Sequence, residues 1–370
     1  MLPGQFVLPV LFMVSIAVPF PGMIPMNRKA EPRVLCSRCI LPGTFPGISF
    51  DEEGVCNYCR REESALSRYS EKKAAQLLKM DHLIRSVQGR ASGYDLIMAY
   101  SGGKDSSYTL KLLRERYGVR ILALTFDNHF VSTRSWENIH KVVDALGLDH
   151  LTFRPGWPVM KALFSLTAAR DIFPRPTLLR ASSICTACIG LVKSITLKVA
   201  LELSIPLVAF GWSPGQAPLQ SGIMKNNPSF VRENQRSFKG ALPDALAGLL
   251  EPCFLPASYY EGYKDRFPYN IHPLAFFDYR EEAIRKELES LGWVPPEDTD
   301  TNSTNCLLNA LANEEHQKRH GFHPYVQEIA GMVRQGVMTR EEGLAKIYPP
   351  QDPAQVAWAR KKLELIPEIQ

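Results

Sequence analysis

The sequence has little of what marks a secreted or membrane-spanning protein. Its apolar stretch from Gln5 to Phe20 is interrupted by Pro9 and Pro19, and no Lys or Arg precedes it. A signal peptide needs a basic segment before its apolar core, and a membrane span needs about 20 apolar residues. We therefore expect residues 1–33 to be a disordered leader or a mis-called start. We also expect a cytoplasmic protein without a membrane partner.

Strong charge, internal repeats and a dense disulfide framework are also missing. The 370 residues carry a formal net charge of +5, which suits an anionic substrate but is too weak to indicate nucleic acid by itself. The hydrophobic share of 45% is ordinary for a globular protein. Most of the eight cysteines occur in Cys-x-x-Cys pairs, a spacing typical of metal binding or catalysis in a reducing cytosol.

The Walker pattern G-x-x-x-x-G-K-S/T is absent, but another glycine-rich loop is present. The apolar run 96–100 predicts a buried strand, and helical spacing begins at residue 108. A glycine turn between strand and helix presents N–H groups to phosphate, although such a turn can also bind nothing. The candidate phosphate-binding residues are Ser101, Gly102, Gly103, Lys104, Asp105, Ser106 and Ser107.

Alternating strand and helix patterns after the loop predict a doubly wound parallel α/β sheet. Strands over 119–126 and 205–210 end at Asp127 and Gly211. Because the carboxyl ends of parallel strands border the ligand crevice, both residues are candidates for the nucleotide site. A turn or capping role is the equal alternative for Asp127. Ser135 is the expected N-cap of the helix that runs to residue 146.

Two Cys-x-x-Cys pairs, separated by a segment rich in Pro and Gly, lie near the N-terminus. The four thiolates suit a closed structural Zn²⁺ site. Two buried cysteine pairs without metal are the alternative. The expected zinc ligands are Cys36, Cys39, Cys56 and Cys59.

A third pair, Cys185-x-x-Cys188, opens a predicted helix, and Cys306 ends a polar run. Cysteines at a helix N-terminus have lowered pKa values, so we expect Cys185 and Cys188 to be reactive. A buried pair of small residues is the alternative.

These patterns predict five segments. They are a leader (1–33), a zinc knuckle (34–61), a helical linker (62–91), an ATP-binding α/β domain (92–220) and a substrate and helical C-terminal region (221–370). The apolar periodicity indicates the fold class, the loop indicates a phosphate site, and ATP as its ligand follows from the resemblance described next. We also expect a homo-oligomer.

The segment Ser101-Gly-Gly-Lys-Asp-Ser106 resembles the signature of the PP-loop ATP pyrophosphatases. This resemblance implies the adenine nucleotide alpha-hydrolase-like fold and ATP as cofactor. It also implies that the loop holds the departing pyrophosphate, with Lys104 and Asp105 in catalysis. Mg²⁺ would neutralise the phosphates through Asp105 or Asp127.

A wider pattern resembles the N-acetyl sugar amidotransferases of lipopolysaccharide and surface-glycan biosynthesis. It comprises Cys36-Ser-Arg-Cys-Ile-Leu-Pro, the segment 47–59, Gly321-Phe and Thr339-Arg-Glu-Glu342. The resemblance implies a small-molecule sugar acceptor. It further implies ammonia from a glutaminase partner subunit, since no glutaminase domain is evident in the chain.

The pair Cys185-x-x-Cys188 also resembles the iron–sulfur PP-loop thiolases that sulfurate tRNA. That resemblance implies a [4Fe-4S] cluster with Cys306 as third ligand, or Cys253 as the weaker candidate, and tRNA or a small molecule as acceptor. The thiols would then carry the transferred sulfur. A non-catalytic nucleotide-binding zinc scaffold is a third interpretation, against which the intact loop argues.

Overall fold

A six-stranded sheet forms the centre of the structure, a computed structural model that describes residues 34–66, 69–216, 218–300 and 305–365. The predicted leader lies outside the described residues. The strands are β1 (Leu96–Ala99), β2 (Ile121–Phe126), β3 (Asp149–Phe153), β4 (Leu207–Phe210), β5 (Ile223–Lys225) and β6 (Tyr269–Ile271). Their order is β3-β2-β1-β4-β6-β5, and every pairing is parallel except that of β5 with β6 at the edge.

Helices surround the sheet and form the C-terminal region. Across the described ranges they are α1 (Asn57–Leu66), α2 (Tyr69–Val87), α3 (Lys104–Tyr117), α4 (Thr133–Leu146), α5 (Trp157–Ala169), α6 (Arg175–Leu178), α7 (Ser183–Glu202), α8 (Pro228–Gly240), α9 (Asp244–Leu250), α10 (Tyr259–Gly262), α11 (Glu281–Glu289), α12 (Asn309–His320), α13 (Val326–Arg334), α14 (Arg340–Ile347) and α15 (Pro353–Leu363).

The central strands are apolar on both sides because both faces of the sheet are buried. Along β1, Leu96 and Met98 belong to one hydrophobic core, whereas Ile97 belongs to the other. In β4, Leu207 and Val208 divide between the two cores in the same way. Strands covered on both faces read as continuous apolar runs. The predicted doubly wound α/β fold is confirmed.

The strand order places a ligand crevice between β1 and β4. From β1 the chain builds outward through β2 and β3, and it then crosses to the other side of β1 with β4 and β6. Connections that leave adjacent strands in opposite directions open a crevice at the carboxyl ends of those strands. The glycine loop after β1 and Gly211 after β4 both lie there.

Helix α7 is the one described helix that is long and apolar enough to cross a membrane by length and composition. Half of its apolar window is buried, and it packs against α5, α12 and the sheet. Its buried residues include Leu191, Ile195 and Leu201. This is the placement of a core helix, whose apolar character comes from contacts on several sides.

The capping of α4 differs from the prediction. The helix begins at Thr133, and its N-cap is Ser132, three residues before Ser135. The Oγ of Ser132 accepts a hydrogen bond from the Ser135 N–H at 3.1 Å. Either serine satisfies the sequence pattern of an N-cap, and only the backbone path selects the first one.

The predicted boundary at residue 220 runs through the sheet, because β5 and β6 follow it in sequence. The chain from residue 34 onward is one compact unit. Its two ends also meet, since Arg340 donates to the carbonyl oxygens of Cys36 and Cys39 at 3.1 and 3.0 Å. The knuckle and the C-terminal helices therefore form a single structural module.

Candidate active site

A tight glycine loop joins β1 to α3. Gly102 has a φ of +75°, and a Cβ there would lie 2.6 Å from the carbonyl oxygen of Ser135. At Gly211 a Cβ would lie 2.4 Å from the Cα of Ser106. Neither approach leaves room for a side chain, so both positions require glycine. The loop and the end of β4 are thus in direct backbone contact.

The N-terminus of α3 is open at this loop. Its N-cap, Gly103, offers no side chain to the N–H groups of the first turn. The Oγ of Ser101 accepts from the Gly103 N–H at 3.4 Å and lies 3.1 Å from the Oγ of Ser106. Uncapped N–H groups and hydroxyls at the positive end of a helix dipole favour an anion such as phosphate.

Lys104 is buried and bound to neighbouring side chains. Its Nζ donates to the hydroxyl of Tyr279 at 2.8 Å and lies 3.1 Å from Glu281 Oε2. The same Tyr279 hydroxyl donates to Asp105 Oδ1 at 2.8 Å. Lys104 does not line the cavity described below. Its ammonium group is therefore held in place by Tyr279, which precedes α11, and balanced by Glu281, the first residue of α11.

Glu281 is the centre of this ionic network. Its carboxylate also lies 3.1 Å from Lys346 of α14 and 2.7 Å from Arg285. Burial alone would raise the pKa of Glu281, but the charges of Lys104 and Lys346 outweigh it and lower the pKa to about 2. Sequence reasoning missed the roles of Glu281 and Tyr279, because no local motif marks them.

Buried side chains also fix the back of the loop. The indole Nε1 of Trp293 donates to the carbonyl oxygen of Gly102 at 2.9 Å. Ser107 is fully buried, and its Oγ lies 3.1 Å from the hydroxyl of Tyr100. The sequence predicted that Ser107 contacts phosphate, and the structure places it against the protein core.

A cavity of about 290 Å³ opens at the carboxyl ends of the central strands. Both the glycine loop and the second group of cysteines face it. The predicted site residues that line it are Ser101, Gly103, Asp105, Ser106, Gly211, Cys185, Cys188 and Cys306. Residues far apart in sequence thus share one space in which a nucleotide and a thiol group could meet.

Asn128 connects two of the three cavity thiols. Its Nδ2 lies 3.5 Å from Cys188 Sγ and 3.6 Å from Cys306 Sγ. Its Oδ1 accepts the Phe130 N–H at 2.9 Å, which fixes the orientation of the amide. Sequence reasoning selected the neighbouring Asp127 because it follows β2. The strand end was correct, but the side chain turned toward the cavity is that of the next residue.

Contacts with distant parts of the chain also hold Cys306 and Cys185 in place. Cys306 forms an isolated antiparallel bridge with Val131, which holds it beside the end of β2. The Sγ of Cys185 lies 3.8 Å from Asn309 Oδ1, and this oxygen accepts from the hydroxyl of Tyr325 at 3.0 Å. Polar groups therefore contact all three thiols.

The expected lowering of the pKa of Cys185 and Cys188 is wrong for the free thiols. Burial raises the pKa of Cys185 to about 11, although a hydrogen bond to Ser182 opposes the effect. Burial also raises the pKa values of Cys188 and Cys306. The loss of solvation on burial outweighs the effect of the helix N-terminus on these pKa values. These thiols are neutral until a metal or another cation displaces their protons.

Asp127 and Cys253 also lie outside the cavity, as Gly102, Lys104 and Ser107 do. Asp127 Oδ1 accepts the His129 N–H at 2.8 Å, and its Oδ2 lies 3.2 Å from Arg154. Asp127 therefore has the turn role that was the alternative to a place in the nucleotide site. Cys253 is 3% exposed and belongs to a hydrophobic core. Cys306, rather than Cys253, therefore joins the pair on α7.

Glu328 of α13 is a titratable residue beside the site that carries no sequence signal. It accepts a hydrogen bond from the hydroxyl of Ser213. Burial raises the pKa of Glu328 to about 7, and the Asp105 carboxylate adds to the rise despite the Ser213 hydrogen bond. Glu328 therefore titrates near neutral pH.

The four N-terminal cysteines form a compact group that could hold a metal ion. Their sulfur atoms all lie within 4.8 Å of one another, and no other set of described His, Cys, Asp or Glu residues meets this criterion. The Sγ atoms of Cys36 and Cys59 are 3.8 Å apart, as are those of Cys39 and Cys56. A tetrahedron with metal–sulfur bonds of about 2.3 Å has edges of about 3.8 Å.

A nearby positive charge and hydrogen bonds stabilise the thiolate form of cysteines in this group. The Nη1 of Arg334 lies 3.8 Å from Cys39 Sγ, and the Cys56 N–H donates to Cys36 Sγ at 3.2 Å. A hydrogen bond from Cys59 lowers the pKa of Cys39 to about 5, and Arg334 contributes although burial opposes it. Donors of this kind orient metal ligands and stabilise their charge.

No family model matches the chain. An uncharacterized protein of Methanocaldococcus jannaschii is 22% identical over 322 residues, which cover 87% of this chain and 95% of the relative. The similarity therefore spans nearly the full length of that protein.

Several solved structures share distant similarity. The U34-tRNA thiolase NcsA of Methanococcus maripaludis, with its [4Fe-4S] cluster, is 17% identical, with 91% of this chain and all of that chain covered and a TM-score of 0.32. A predicted tRNA methyltransferase subunit of Methanocaldococcus jannaschii is 16% identical, with 63% and 91% covered and a TM-score of 0.29. An NH3-dependent NAD synthetase of Campylobacter jejuni is 11% identical, with 53% and 96% covered and a TM-score of 0.28. Similarity at this level assigns no function.

Proposed function

We propose that this chain is an ATP-dependent, AMP-forming transferase of the PP-loop type, and that the atom it transfers is sulfur. One observation carries the proposal. The glycine loop and the thiols of Cys185, Cys188 and Cys306 line the same cavity. A nucleotide held by the loop would therefore be activated beside the sulfur-bearing side chains.

The loop supports the first step. An oxygen of the acceptor attacks the α-phosphorus of ATP, and a new P–O bond forms as the bond to the β-phosphate breaks. Pyrophosphate leaves with the bonding electrons. The N–H groups at the start of α3 and the hydroxyls of Ser101 and Ser106 stabilise its charge. Asp105 lines the cavity, and we assign to its carboxylate the role of holding Mg²⁺.

Lys104 has a positioning role in this scheme. Because Glu281, Asp105 and Tyr279 surround its ammonium group, Lys104 holds the base of α3 and the Asp105 carboxylate in place. This arrangement differs from a lysine that extends freely toward phosphate.

The thiols support the second step. Hydrosulfide, the second co-substrate, attacks the activated carbon of the acceptor. A C–S bond forms, the C–O bond to AMP breaks, and AMP leaves with the bonding electrons. Cys185, Cys188 and Cys306 would hold the group that binds this sulfide, and Asn128 donates to the Sγ atoms of Cys188 and Cys306.

The three cysteine thiols form a suitable ligand set for a [4Fe-4S] cluster. When bound through Cys185, Cys188 and Cys306, such a cluster would supply one iron without a protein ligand, to which sulfide can bind. The polar contacts of Asn128 and Asn309 fit the outer shell of such a site.

We assign zinc to Cys36, Cys39, Cys56 and Cys59. Sulfur separations near 3.8 Å suit a single tetrahedral ion. Because all four thiols are buried and Arg340 joins this segment to α14, the ion stabilises the module of knuckle and C-terminal helices. Elemental analysis would test the assignment, and one iron in place of zinc would contradict it.

Nitrogen transfer to a sugar is the alternative outcome. The sequence similarity to the amidotransferases depends partly on C-terminal residues that pack against the knuckle. Thr44 donates to the Gly321 carbonyl oxygen at 2.7 Å, and Thr339 and Glu342 form a capping box. Packing accounts for these residues without a sugar, a glutaminase partner or ammonia.

The first experiment measures pyrophosphate and AMP release with ATP, hydrosulfide and candidate acceptors. Ser106→Ala is expected to lower acceptor-dependent pyrophosphate release, since it removes a hydroxyl from the loop. Equal rates for Ser106→Ala and the unaltered chain would contradict the first step.

The second experiment identifies the transferred atom. Anaerobically purified protein is expected to contain about four irons and four acid-labile sulfides per chain at the cavity thiols. Cys188→Ala is expected to abolish this iron, whereas Cys253→Ala, as the matched control, retains it. An iron-free protein that turns over with ammonia instead of hydrosulfide would replace sulfur transfer with amidation.

A further inference from the structure

Strand β3 forms an open edge of the sheet. It pairs with β2 on one side, and within the described ranges no strand lies on its other side. The inner strands β1, β2 and β4 are buried almost throughout, whereas Asp149, Leu151 and Thr152 of β3 are exposed. An edge strand presents unpaired N–H and C=O groups with which another strand can pair.

The backbone groups of β3 alternate between its two sides. The Asp127 N–H donates to the carbonyl oxygen of Phe153 at 2.9 Å, so the backbone groups of Phe153 point toward β2. In a parallel ladder, every second residue of a strand bonds to the same neighbour. The groups of Leu151 therefore also bond to β2, and the N–H and C=O groups of His150 and Thr152 point to the open side.

The sequence of β3 lacks the residues that usually protect an edge strand. Lysine and proline on an edge strand keep natural sheets from pairing with other chains. The strand Asp149–Phe153 contains no lysine, arginine or proline. The carboxylate of Asp149 accepts a hydrogen bond from the hydroxyl of Tyr94 at 2.7 Å, and Leu151 at the centre of the strand is 40% exposed. The edge is therefore available to a partner strand.

The open edge is complementary to a second copy of itself. When two copies pair antiparallel about a two-fold axis at Leu151, His150 of each copy lies opposite Thr152 of the other, and each such pair exchanges both of its hydrogen bonds. The same arrangement brings the strand end next to Arg154, whose side chain is 61% exposed, alongside the end with Asp149 in the other copy. Antiparallel pairing thus brings opposite charges together, whereas parallel pairing would bring like charges together.

We propose that this chain forms a two-fold symmetric dimer in which the β3 strands of two copies pair antiparallel about Leu151, so that one continuous sheet runs through both copies. A contact between identical surfaces closes on itself, so it yields a dimer rather than a fibre. The exposed part of Leu151 packs against the same side chain of the other copy and adds an apolar centre to the backbone pairing. This dimer is independent of the proposed function.

Cysteine cross-linking of the intact chain tests the register of the two strands. Opposite residues of a non-hydrogen-bonded pair have Cα atoms about 4.5 Å apart, which is within the range of a disulfide. Leu151→Cys is therefore expected to link two copies when diamide is the oxidant, and mass spectrometry identifies the linked peptide. Thr152→Cys is the matched control. This position is also exposed, but its two copies would lie about 8 Å apart, too far for a disulfide.

Light scattering measures the association itself, and the unaltered chain is expected to have the mass of two chains. Leu151→Glu places like charges opposite each other, and Thr152→Pro removes an outward N–H from each copy without removing a bond to β2. Each change is expected to weaken dimerisation about 30-fold or more. The controls are Leu249→Glu, at an exposed leucine of α9, and Thr152→Ala, which keeps the N–H. Unfolding temperatures verify that all variants are folded.

A monomeric unaltered chain at every concentration measured would overturn the proposal. A dimer that persists in both Leu151→Glu and Thr152→Pro would do so as well, because another surface would then hold the copies together. Equal cross-linking of Leu151→Cys and Thr152→Cys would overturn the pairing about Leu151. None of these measurements depends on ATP turnover or on the cavity thiols, so a failure of the proposed function leaves them unaffected.

Discussion

Gly211→Ala gives a sharp test of how the strand end supports the glycine loop. The added methyl group would lie 2.4 Å from the Cα and 2.8 Å from the amide nitrogen of Ser106. Both atoms are backbone at the start of α3, so no flexible side chain can move aside. Either the end of β4 or the first turn of α3 must shift.

The size of the effect follows from these distances. Ordinary contact begins at about 3.4 Å, so a separation of about 1 Å must open between the two elements. A displacement of that size at reacting groups can lower the rate about 100-fold, which corresponds to about 2.7 kcal/mol of activation free energy. Overpacking is also expected to lower the free energy of unfolding by about 1–3 kcal/mol.

The assay combines pyrophosphate release with urea unfolding. Gly211→Ala is expected to lose pyrophosphate release to a degree that its loss of stability does not explain, because most molecules stay folded. Gly248→Ala is the matched control. It lies within α9 and a Cβ there meets no atom within 4 Å, so this variant is expected to gain up to about 1 kcal/mol.

Wild-type pyrophosphate release by Gly211→Ala would refute the reasoning. It would mean that the loop accommodates the methyl group, or that the first turn of α3 takes no part in the reaction. A loss of release that matches the unfolded fraction would also refute it, because the effect would then be one of stability alone.

The remaining predictions concern the knuckle, the half-buried Glu328 and the cavity thiols. Arg334→Gln removes the guanidinium beside a knuckle thiolate and is expected to lower metal affinity about 10- to 100-fold in chelator competition, whereas the exposed Arg236→Gln has no effect. Burial raises the pKa of Glu328 to about 7 in the folded chain. Ionisation of this carboxyl therefore lowers the free energy of unfolding as the pH rises from the pKa that Glu328 has in the unfolded chain through 7. Glu328→Gln is therefore expected to raise the free energy of unfolding by on the order of 3 kcal/mol at pH 8 and to leave it unchanged near pH 4; an equal gain at both pH values would contradict this. Asn128→Asp replaces a shared donor with a negative charge and is expected to slow alkylation of the metal-free thiols about tenfold at pH 8, whereas unaltered kinetics would show that the amide does not support their thiolate form.

The sequence by itself determined the features that depend on short segments. A glycine loop between an apolar run and a helical pattern needs only adjacent residues, and the structure places this loop between β1 and α3. The doubly wound sheet follows from the alternation of such patterns. The paired Cys-x-x-Cys spacing likewise predicted that four thiols approach one another, and they do.

Only the tertiary structure decided which side chains complete the site. Tyr279 and Glu281 reach Lys104 because α11 packs against α3, a contact that no local periodicity encodes. Asn128 rather than Asp127 turns toward the cavity because the chain leaves β2 in a tight turn. Cys306 lines the same cavity as Cys188 because an isolated bridge to Val131 holds its segment beyond the carboxyl end of β2. Such contacts depend on how elements distant in sequence pack together. The periodicity of a sequence indicates only the local secondary structure and which residues of each element are buried.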